Sequence, residues 1–370
     1  MSKGPITRRE FVRNTALITA AAATPVYGAP GRQEAASKTR SYNENMEYRP
    51  LGTTGLMISA ISLGGHWKKL PYRFGTEEFA KNRHEVVSAC IERGINYIDA
   101  CTAQEILAYS EALRGRREAM YLGFSHYEHE MRFSEWQTTE KLLAALDDMM
   151  LQAKLEYVDF WRPTCYWKPD TDHTVVQEEA MVGALEKAKK AGKVRFSGMS
   201  THKHDWAMRM IQTYPDTIQG IVLPYTAGSK KAHMRVDLVG DDWAGVEEKQ
   251  ADSMYSLIDV VKEHKAGWIG IKPFASGSVF KARGALNPAT KQEDDRRARL
   301  TLRYVLGNDA LSAAIPGMIT PDQVNNAAQA VRERRQLDMA EARELDQAVG
   351  EMWANLPPDY QWLRREWEYV

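Results

Sequence analysis

Eight short apolar runs alternate with segments of helical periodicity along this chain, and the alternation constrains the fold more than any other feature. Strands that alternate with helices form a parallel sheet with helical crossovers. About 320 residues without a break in composition suit one closed barrel. The sequence therefore predicts an α/β protein with a (β/α)8 TIM barrel fold. In chain order, the eight runs are MISAISLGG, INYIDA, AMYLGFS, YVDFWRPT, VRFSGMS, IQGIVLPY, WIGIKPF and SAAIPGM.

The alternative α/β architecture is a doubly wound open sheet. Such a sheet usually carries a G-x-G-x-x-G pattern after its first strand, and the corresponding segment SLGGHWKK does not match that pattern. The closed barrel is therefore preferred. Gly94 and Gly192 are predicted to end two of its helices, because a helix end favours a residue that tolerates positive φ.

The composition limits the kinds of partner that the protein can have. The 49 basic and 49 acidic residues cancel, so no overall field attracts nucleic acid or anionic lipid. The three cysteines, Cys90, Cys101 and Cys165, cannot all pair, and they show no zinc-type spacing. We therefore expect a small-molecule partner, no nucleic acid and no structural disulfide.

Residues 1–30 have the features of a cleavable export signal. Arg8 and Arg9 precede Phe11 and an Ala-rich stretch that is too short to span a membrane durably. The arginine pair resembles the signal that the twin-arginine export machinery reads. We expect a periplasmic or secreted protein without stable membrane insertion; the alternative is an amphipathic N-terminal helix that stays in place.

The rest of the chain divides into two predicted parts. Residues 31–45 are polar and aperiodic, which predicts a linker. Residues 46–370 are predicted to form the barrel, with a helical extension at its C-terminal end.

The active site of such a barrel lies at the C-terminal ends of its strands. Polar and titratable residues follow each predicted strand and together form a ring that indicates a site, although each histidine could instead have a surface or capping role. The ring comprises Gly65, His66, Trp67, Asp99, Cys101, Gln104, Glu105, Ser125, His126, Arg162, Thr164, Ser200, Thr201, His202, His204, Tyr225, Lys272 and Gly317.

Several segments resemble the aldo/keto reductase family. They are EYRPLGTTGLMISAISLGG, GINYIDA, YVDFW, GKVRFSGMS and LRYVLGNDALSAAIPGMITPDQV, in the family's order between about residues 46 and 335. The resemblance implies a hairpin that closes the barrel floor. It also implies NAD(P)H extended across the opposite end of the barrel.

The resemblance assigns cofactor-binding roles to six residues. Ser200, Thr201 and Gln219 would meet the nicotinamide amide, and Lys272 would stack on the nicotinamide. Gly317 and Gln323 lie in the segment that would grip the adenosine phosphate, and that segment contains no Lys or Arg. NAD is therefore expected to bind at least as well as NADP, because a 2′-phosphate is normally held by a cation.

The family's proton-transfer residues are an Asp, a Tyr, a Lys and a His. Asp99 matches the Asp, but Gln104, Ser125 and Thr164 occupy the other three positions. A carboxamide has no proton to donate at neutral pH, and a hydroxyl supplies no permanent charge. Another group must therefore handle the proton, and the candidates are His66, His126, His202 and Glu105.

Aromatic and basic residues near the strand ends predict a substrate pocket. Arg162 and Thr164 point to the same side of their strand. A buried Arg162 needs a partner, which could be Asp99 or Glu105; the alternative is that Arg162 binds an anionic or sugar-acid substrate. Trp67 and Trp161 are predicted to line the rim, together with Tyr72, Tyr166, Trp167 and the C-terminal tail. Such aromatic residues stack on sugar rings, which favours a carbohydrate-derived substrate.

Three functions are compatible with these residues. The first is a nicotinamide-dependent oxidoreductase of the aldo/keto reductase type with a non-standard proton donor. The second is a lyase, isomerase or hydrolase that uses a His/carboxylate site, with or without a metal, although no metal-ligand spacing is present. The third is a non-catalytic binding barrel.

Overall fold

The computed structural model describes residues 30–67, 69–165, 173–230 and 256–370. Within these ranges it confirms a parallel barrel preceded by an antiparallel hairpin, β1 and β2. Strand five of the barrel is divided into β7 and β8. The strands are β1 Tyr48–Pro50, β2 Met57–Ser59, β3 Leu63–Gly64, β4 Tyr97–Ala100, β5 Tyr121–Phe124, β6 Val158–Trp161, β7 Val194–Ser197, β8 Met199–Ser200, β9 Gly220–Pro224, β10 Gly267–Ile271 and β11 Leu311–Ile315.

The barrel closes through two short connections between its sheets. Strands β3 to β7 pair in parallel in sequence order, as do β8 to β11. A parallel bridge joins Thr164 to Ser200, and another joins Ile61 to Ala314. Gly198 lies between β7 and β8. Position 198 requires glycine because a Cβ there would lie 2.0 Å from the Gly220 carbonyl oxygen.

The helices form the outer layer, as the periodicity predicted. Five segments of helical periodicity, residues 77–94, 135–154, 177–193, 251–267 and 321–336, correspond to helices α2, α4, α5, α7 and α9. In the fourth of these segments, residues 251–255 lie outside the described residues. The helices are α1 Pro30–Ser37, α2 Glu77–Glu92, α3 Ala103–Ala112, α4 Thr139–Gln152, α5 Val175–Lys190, α6 His204–Thr213, α7 Leu257–Glu263, α8 Lys291–Leu306, α9 Pro321–Arg332, α10 Met339–Ala354 and α11 Gln361–Trp367.

The ends of these helices follow from local sequence. Thr76, Thr102 and Thr138 cap α2, α3 and α4 by accepting a hydrogen bond from a backbone N–H of the first turn. Gly94 and Gly192 follow α2 and α5 with φ of +77° and +72°, which confirms the expected helix ends.

The hairpin closes the floor of the barrel, at the N-terminal ends of the strands. Gly52 lies between β1 and β2 with φ of +55°, and a Cβ there would lie 2.1 Å from the Gln219 carbonyl oxygen. One buried apolar cluster joins this floor to the barrel interior. Its hairpin members are Leu51, Leu56 and Ile58, and its members from the barrel strands are Tyr97, Tyr121, Phe160, Phe196, Val222, Ile269, Ala313 and Ile315.

The segment before the barrel differs from the linker expected over residues 31–45. Part of it lies in α1, and the residues that follow contact the barrel. Thr39 donates to the Met57 carbonyl oxygen at 2.6 Å, and Arg40 donates to the Met120 carbonyl oxygen at 2.8 Å. Composition did not reveal these long-range hydrogen bonds.

The expected export signal lies outside the described residues, apart from Pro30. Within the ranges that the structure describes, no helix combines the length and the apolar character needed to cross a membrane.

The C-terminal helical extension, α10 and α11, is attached to the loop after β9. The backbone N–H groups of Lys230 and Val370 donate to the carbonyl oxygens of Glu368 and Lys230 at 2.7 and 3.0 Å. Ser229 Oγ donates to the Trp367 carbonyl oxygen at 2.7 Å. This attachment holds α11 near the C-terminal ends of the strands, where the sequence predicts the site.

A buried carboxylate connects several elements below the site. Asp159, on β6, is inaccessible to solvent and accepts hydrogen bonds from Arg40, Arg117 and Arg195 at 3.2, 2.6 and 2.7 Å. Burial raises the pKa of Asp159, but the three guanidinium groups outweigh burial and hold it well below its usual value. Asp159 therefore stays ionised and holds three arginines in the folded state.

We predict that Asp159→Asn lowers the free energy of unfolding by about 3–5 kcal/mol, because it removes the solvent-inaccessible negative partner of three partly buried arginines. Urea unfolding at neutral pH measures this loss. The difference from wild type should shrink below about pH 3.9, the pKa of an unfolded Asp, since this stabilisation disappears on protonation. Asp147→Asn is the control, because Asp147 forms an exposed pair with Lys193. Equal effects of the two substitutions would contradict the prediction.

Candidate active site

Asp99 and Arg162 form a buried ion pair at the C-terminal ends of β4 and β6. Arg162 donates from Nε to Oδ1 at 2.9 Å and from Nη2 to Oδ2 at 2.5 Å. Burial disfavours the charge of Arg162, but Asp99 outweighs burial and raises the pKa of the guanidinium. Arg162 also donates from Nη1 to Thr164 Oγ1 at 3.3 Å. Of the two partners expected for Arg162, the structure selects Asp99.

Glu105 binds two neighbouring loops through its carboxylate. Thr102 caps α3 and places Glu105 in the first turn of that helix. Its Oε1 accepts a hydrogen bond from the His66 backbone N–H at 2.7 Å, and its Oε2 accepts one from the Cys101 N–H at 2.8 Å. A Cβ on Gly65 would lie 2.0 Å from the carboxyl carbon. Glycine at position 65 therefore lets the backbone approach a buried acid.

The same carboxylate holds the side chain of His66. His66 Nδ1 lies 2.6 Å from Glu105 Oε1, and 51% of the His66 side chain is exposed. The Cys101 sulfur and then the Glu105 carboxylate raise the pKa of His66 well above its usual value, against the effect of burial. His66 adopts a φ of +58°, which is uncommon for a residue with a side chain. The pair combines an imidazole of raised pKa with an accessible surface.

Cys101 lies beside this pair. Its Sγ is 3.6 Å from His66 Nε2 and 3.9 Å from Nδ1, so it lies beside the ring rather than along either nitrogen's lone pair. Potential metal-ligating atoms of His66, Cys101 and Glu105 lie within 4.8 Å of one another. However, Glu105 already accepts two backbone N–H groups and the imidazole. The observed geometry is that of a hydrogen-bonded acid–base pair.

Gln104 does not share this environment. It is exposed on the first turn of α3, whereas the adjacent Glu105 is only 3% exposed and faces the site. Helical geometry turns successive side chains by about 100°, so one position separates a solvent-facing side chain from a buried one.

Ser125 and Thr164 are joined by Glu130, a residue that the sequence analysis missed. Ser125 Oγ lies 2.8 Å from Thr164 Oγ1 and 2.5 Å from Glu130 Oε2. The backbone N–H of Thr164 and the indole N–H of Trp161 donate to the same carboxylate at 2.8 and 3.0 Å. Burial raises the pKa of Glu130. The only sequence signal was an acid five residues after a strand end.

The structure does not bring His126 together with His66. His126 is 4% exposed, and its ring centroid lies 4.4 Å from that of His129. Burial lowers its pKa. The catalytic role of His126 stays a prediction, and the described contacts do not join it to the His66–Glu105 pair.

The loop after β10 has an unusual backbone. Lys272, Ala275 and Ser276 have φ of +60°, +45° and +60°, and Gly277 continues the left-handed conformation at +87°. Such conformations cost about 1–3 kcal/mol for each residue with a side chain and are concentrated at functional sites. His66 and Lys272, both in the left-handed conformation, therefore lie at the C-terminal ends of two different strands, one and seven.

Residues 60–349 match the model of the aldo/keto reductase family. The chain belongs to this family. It is thus an oxidoreductase of the aldo/keto reductase type, which confirms the reaction type of the first expected function.

Named relatives are distant but cover most of the chain. L-galactose dehydrogenase of Arabidopsis thaliana is 23% identical over 80% of this chain and 91% of its own length. L-glyceraldehyde 3-phosphate reductase of Escherichia coli K12 is 21% identical over 84% of this chain and 94% of its own length. The holo form of an aldo-keto reductase of Bacillus halodurans superposes with a TM-score of 0.56 at 19% identity, covering 82% of this chain and 96% of that chain. The apo form of that reductase superposes with a TM-score of 0.54 at 18% identity and covers the same shares of the two chains.

Ser200 and Thr201, and Lys272, which the resemblance assigns to nicotinamide binding, lie at or after the ends of strands five and seven respectively. Ser200 Oγ donates to the Val222 carbonyl oxygen at 3.0 Å, and Thr201 Oγ1 accepts from the Lys203 N–H at 3.2 Å. Thr201 therefore does not cap α6. The left-handed loop is closed by its own backbone: the N–H groups of Ala275 and Gly277 donate to the carbonyl oxygens of Lys272 and Phe274 at 2.9 and 2.8 Å.

Gln219 lies at the opposite end of the barrel. It precedes β9, its carbonyl oxygen accepts from Gly267 N–H at 2.9 Å, and its Oε1 accepts from Lys189 at 3.2 Å. The prediction that Gln219 meets the nicotinamide amide is wrong, because the spacing assigned a floor residue to the opposite end of its strand.

Gly317 and Gln323 lie around the start of α9. Gly317 is exposed, and a Cβ there would have nothing within 4 Å, so the backbone is open. Gln323 Oε1 accepts from the Ile319 N–H at 2.8 Å and shapes the turn. Arg83 donates to the Ile319 carbonyl oxygen at 3.1 Å and is buried. An open glycine before a helix N-terminus fits an anionic group.

Two predicted rim tryptophans belong instead to the packed layers. Trp161 is 1% exposed and packs between the barrel and its helices. Trp67 is half-buried against Phe79 and Tyr109, with ring centroids 5.2 and 5.5 Å away. Strand alternation explains Trp161, since Phe160 and Arg162 take the inward positions. Of the other predicted rim residues, Tyr72 is exposed, and Tyr166 and Trp167 lie outside the described residues.

The C-terminal tail supplies an aromatic residue at this end of the barrel. The Trp362 ring on α11 stacks on His202 with centroids 4.2 Å apart, and Lys272 Nζ lies 5.8 Å from the indole centroid. Trp362 thereby connects the loops after strands five and seven.

Proposed function

We propose that this protein is a nicotinamide-nucleotide-dependent oxidoreductase that acts on a carbonyl of a sugar-derived substrate, with His66 as the proton-handling residue. The contact of 2.6 Å between His66 Nδ1 and Glu105 Oε1 carries this proposal. It supports an imidazole that Glu105 orients, whose pKa is raised and which is accessible to a ligand.

The mechanism assigns separate tasks to the residues at the strand ends. When bound, the nicotinamide supplies or accepts the hydride. The His66 imidazolium donates a hydrogen bond and then a proton from Nε2 to the substrate oxygen, and it recovers a proton from solvent. Glu105 stabilises the imidazolium and fixes which nitrogen faces the substrate. Asp99 neutralises Arg162, which orients Thr164.

The residues at the positions of the family's Tyr, Lys and His support a proton donor that lies elsewhere in the site. Gln104 has no acidic proton and is exposed, and Ser125 and Thr164 bond to each other and to Glu130. This arrangement provides no ammonium group to stabilise a phenolate or alkoxide.

NAD is the cofactor that we favour over NADP. Residues 317–323 contain no Lys or Arg, and the nearby Arg83 is buried against backbone carbonyl groups. A 2′-phosphate normally requires a cation or a bidentate guanidinium.

A carbohydrate-derived substrate is supported by the names of two relatives, which describe proteins that act on L-galactose and on L-glyceraldehyde 3-phosphate. The Trp362 indole near His202 and Lys272 offers an apolar face of the kind on which sugar rings stack.

We predict that His66→Gln lowers kcat for NADH-dependent reduction by about 10²–10⁴-fold, because it removes the proton donor. NADH absorbance with L-glyceraldehyde 3-phosphate, D-glucuronate and unphosphorylated aldoses measures this effect. Gln104→Ala is the control and should retain near-wild-type activity, because its side chain is exposed. Full activity of His66→Gln would refute the assignment.

Tryptophan fluorescence titration should show NADH binding at least as tight as NADPH binding.

We also propose twin-arginine export to the periplasm or beyond, supported by Arg8, Arg9 and the Ala-rich stretch that follows them. Replacing both arginines with lysine should leave a folded protein in the cytoplasm, because that machinery reads the arginine pair. Fractionation followed by immunoblotting measures the distribution. Export at the original level would contradict the proposal.

A further inference from the structure

Glu130 is a buried acid that the proposed mechanism does not use. It is 1% exposed, and no Lys, Arg or His among the described residues forms an ion pair with it. By contrast, Asp99 pairs with Arg162 and Glu105 pairs with His66 at the same end of the barrel. A buried carboxylate without a cation loses the hydration of its charge, which favours the neutral acid. The surroundings of Glu130 therefore differ from those of the other two acids.

The partners of Glu130 supply hydrogen bonds but no positive charge. Its Oε1 accepts from the His126 backbone N–H and the Trp161 indole N–H, both at 3.0 Å. Its Oε2 accepts from the Thr164 backbone N–H at 2.8 Å and lies 2.5 Å from Ser125 Oγ. Burial raises the pKa of Glu130, and these neutral donors oppose the effect only in part. The short contact between Oε2 and Ser125 Oγ can hold a proton that comes from either side.

Other titratable groups around Glu130 do not supply a positive charge either. Burial raises the pKa of the Cys165 thiol, and the charge of Glu130 adds to this effect. Burial lowers the pKa of the His126 imidazole. Both groups therefore favour their neutral forms. The guanidinium of Arg162, farther along the hydrogen-bond chain, is bonded to Asp99.

Two hydroxyl groups connect Glu130 to the surface of the site. Ser125 Oγ lies next to the acid and 2.8 Å from Thr164 Oγ1. Ser125 is inaccessible to solvent, whereas Thr164 is partly exposed after the end of strand four. Arg162 Nη1 donates to Thr164 Oγ1 at 3.3 Å. The end of this chain that a ligand can reach is therefore Thr164.

The protons along this chain can be arranged in two ways, because each hydroxyl has one proton and two lone pairs. If Glu130 is ionised, Ser125 donates to it and Thr164 donates to Ser125. Thr164 then has only a lone pair to offer a ligand. If Glu130 is neutral, it donates to Ser125, and Ser125 donates to Thr164. Arg162 fills the other lone pair of Thr164, which leaves the Thr164 proton for a ligand.

We propose that Glu130 is a positioning residue that stays protonated and, through Ser125, makes Thr164 a hydrogen-bond donor to an oxygen of the substrate. This inference rests on the proposed function in taking the ligand to be a carbonyl substrate. A carbonyl oxygen only accepts hydrogen bonds, so it fits Thr164 as a donor. Thr164 as an acceptor would instead select a hydroxyl group.

Infrared difference spectroscopy of the full chain tests the protonation of Glu130 without any ligand. At neutral pH, Glu130→Gln should remove the C=O stretch of a neutral carboxylic acid, which is separate from the bands of carboxylates. Glu105→Gln is the buried control and should remove carboxylate bands, because Glu105 pairs with His66. Ser125→Ala keeps the acid but removes the hydroxyl beside its proton, so it should shift the acid band. Loss of carboxylate bands alone in Glu130→Gln, or an unshifted spectrum in Ser125→Ala, would overturn the proposal.

The substrate contact of Thr164 is tested by kinetics. Thr164→Val should lower kcat/KM for NADH-dependent aldehyde reduction by about 2–10-fold, the loss expected for one neutral hydrogen bond. Thr164→Ser keeps the hydroxyl and should restore most of the loss. Thr213→Val is the matched control, because Thr213 is exposed on α6, and it should react like wild type. Circular dichroism and the thermal midpoint of each variant show whether it is folded.

A double-mutant cycle tests whether Ser125 acts through Thr164. Ser125→Ala should lower kcat/KM, because Thr164 loses the donor that fixes its orientation. Adding Ser125→Ala to Thr164→Val should cause little further loss, since the hydroxyl that Ser125 orients is already absent. Losses that simply add would contradict the positioning role.

The outcomes separate this inference from the proposed function. A protein that reduces aldehydes with NADH would keep the proposed function and lose this inference if Glu130→Gln removed only carboxylate bands, or if Thr164→Val reacted like wild type. An acid band assigned to Glu130 in a protein without NADH-dependent reduction would refute the proposed function. The protonation of Glu130 would then stand, and the substrate contact of Thr164 would fall.

Discussion

The buried carboxylate of Glu105 is the constraint on which the candidate site depends. It accepts hydrogen bonds from the backbone of two loops and from the His66 imidazole. Holding an ionised acid at 3% exposure requires several donors, and these contacts supply them. The close approach requires glycine at position 65 and places His66 in a left-handed conformation. One acid thus fixes the orientation and the charge of the neighbouring imidazole.

The rest of the site follows a similar pattern, in which each buried acid has its own set of donors. Asp99 is matched by Arg162, and Glu130 by hydroxyl, indole and backbone groups. The hydrogen bonds form two networks: Glu105 with His66, and a chain from Asp99 through Arg162, Thr164 and Ser125 to Glu130. This division leaves His66 as an accessible titratable group beside the Asp99–Arg162 pair, and places it opposite the strained loop at Lys272.

The fold could be predicted from the sequence because periodicity depends on local geometry that repeats at every strand and helix. The Asp99–Arg162 pair could also be anticipated, since alternation places Arg162 inside the barrel, where it needs an acid. Glu130 could not, because it lies in the loop after strand three, whose path no periodic pattern specifies. Gln219 and Trp161 were misplaced for a related reason. A shift of one residue along a strand moves a side chain to the other face of the sheet, as for Trp161. A larger shift along the strand moves a residue towards the opposite end of the barrel, as for Gln219.

The pH dependence of kcat/KM for carbonyl reduction, in wild type and in Glu105→Gln, tests the central claim most directly. A donor must be protonated, so activity should be present below the pKa of His66 and be lost as the pH rises through it. Because Glu105 contributes to raising that pKa, wild type should remain active above the usual imidazole range. Glu105→Gln should move the alkaline limb to lower pH. An alkaline limb at the same pH in both proteins would contradict the assignment of His66 as the proton donor held by Glu105.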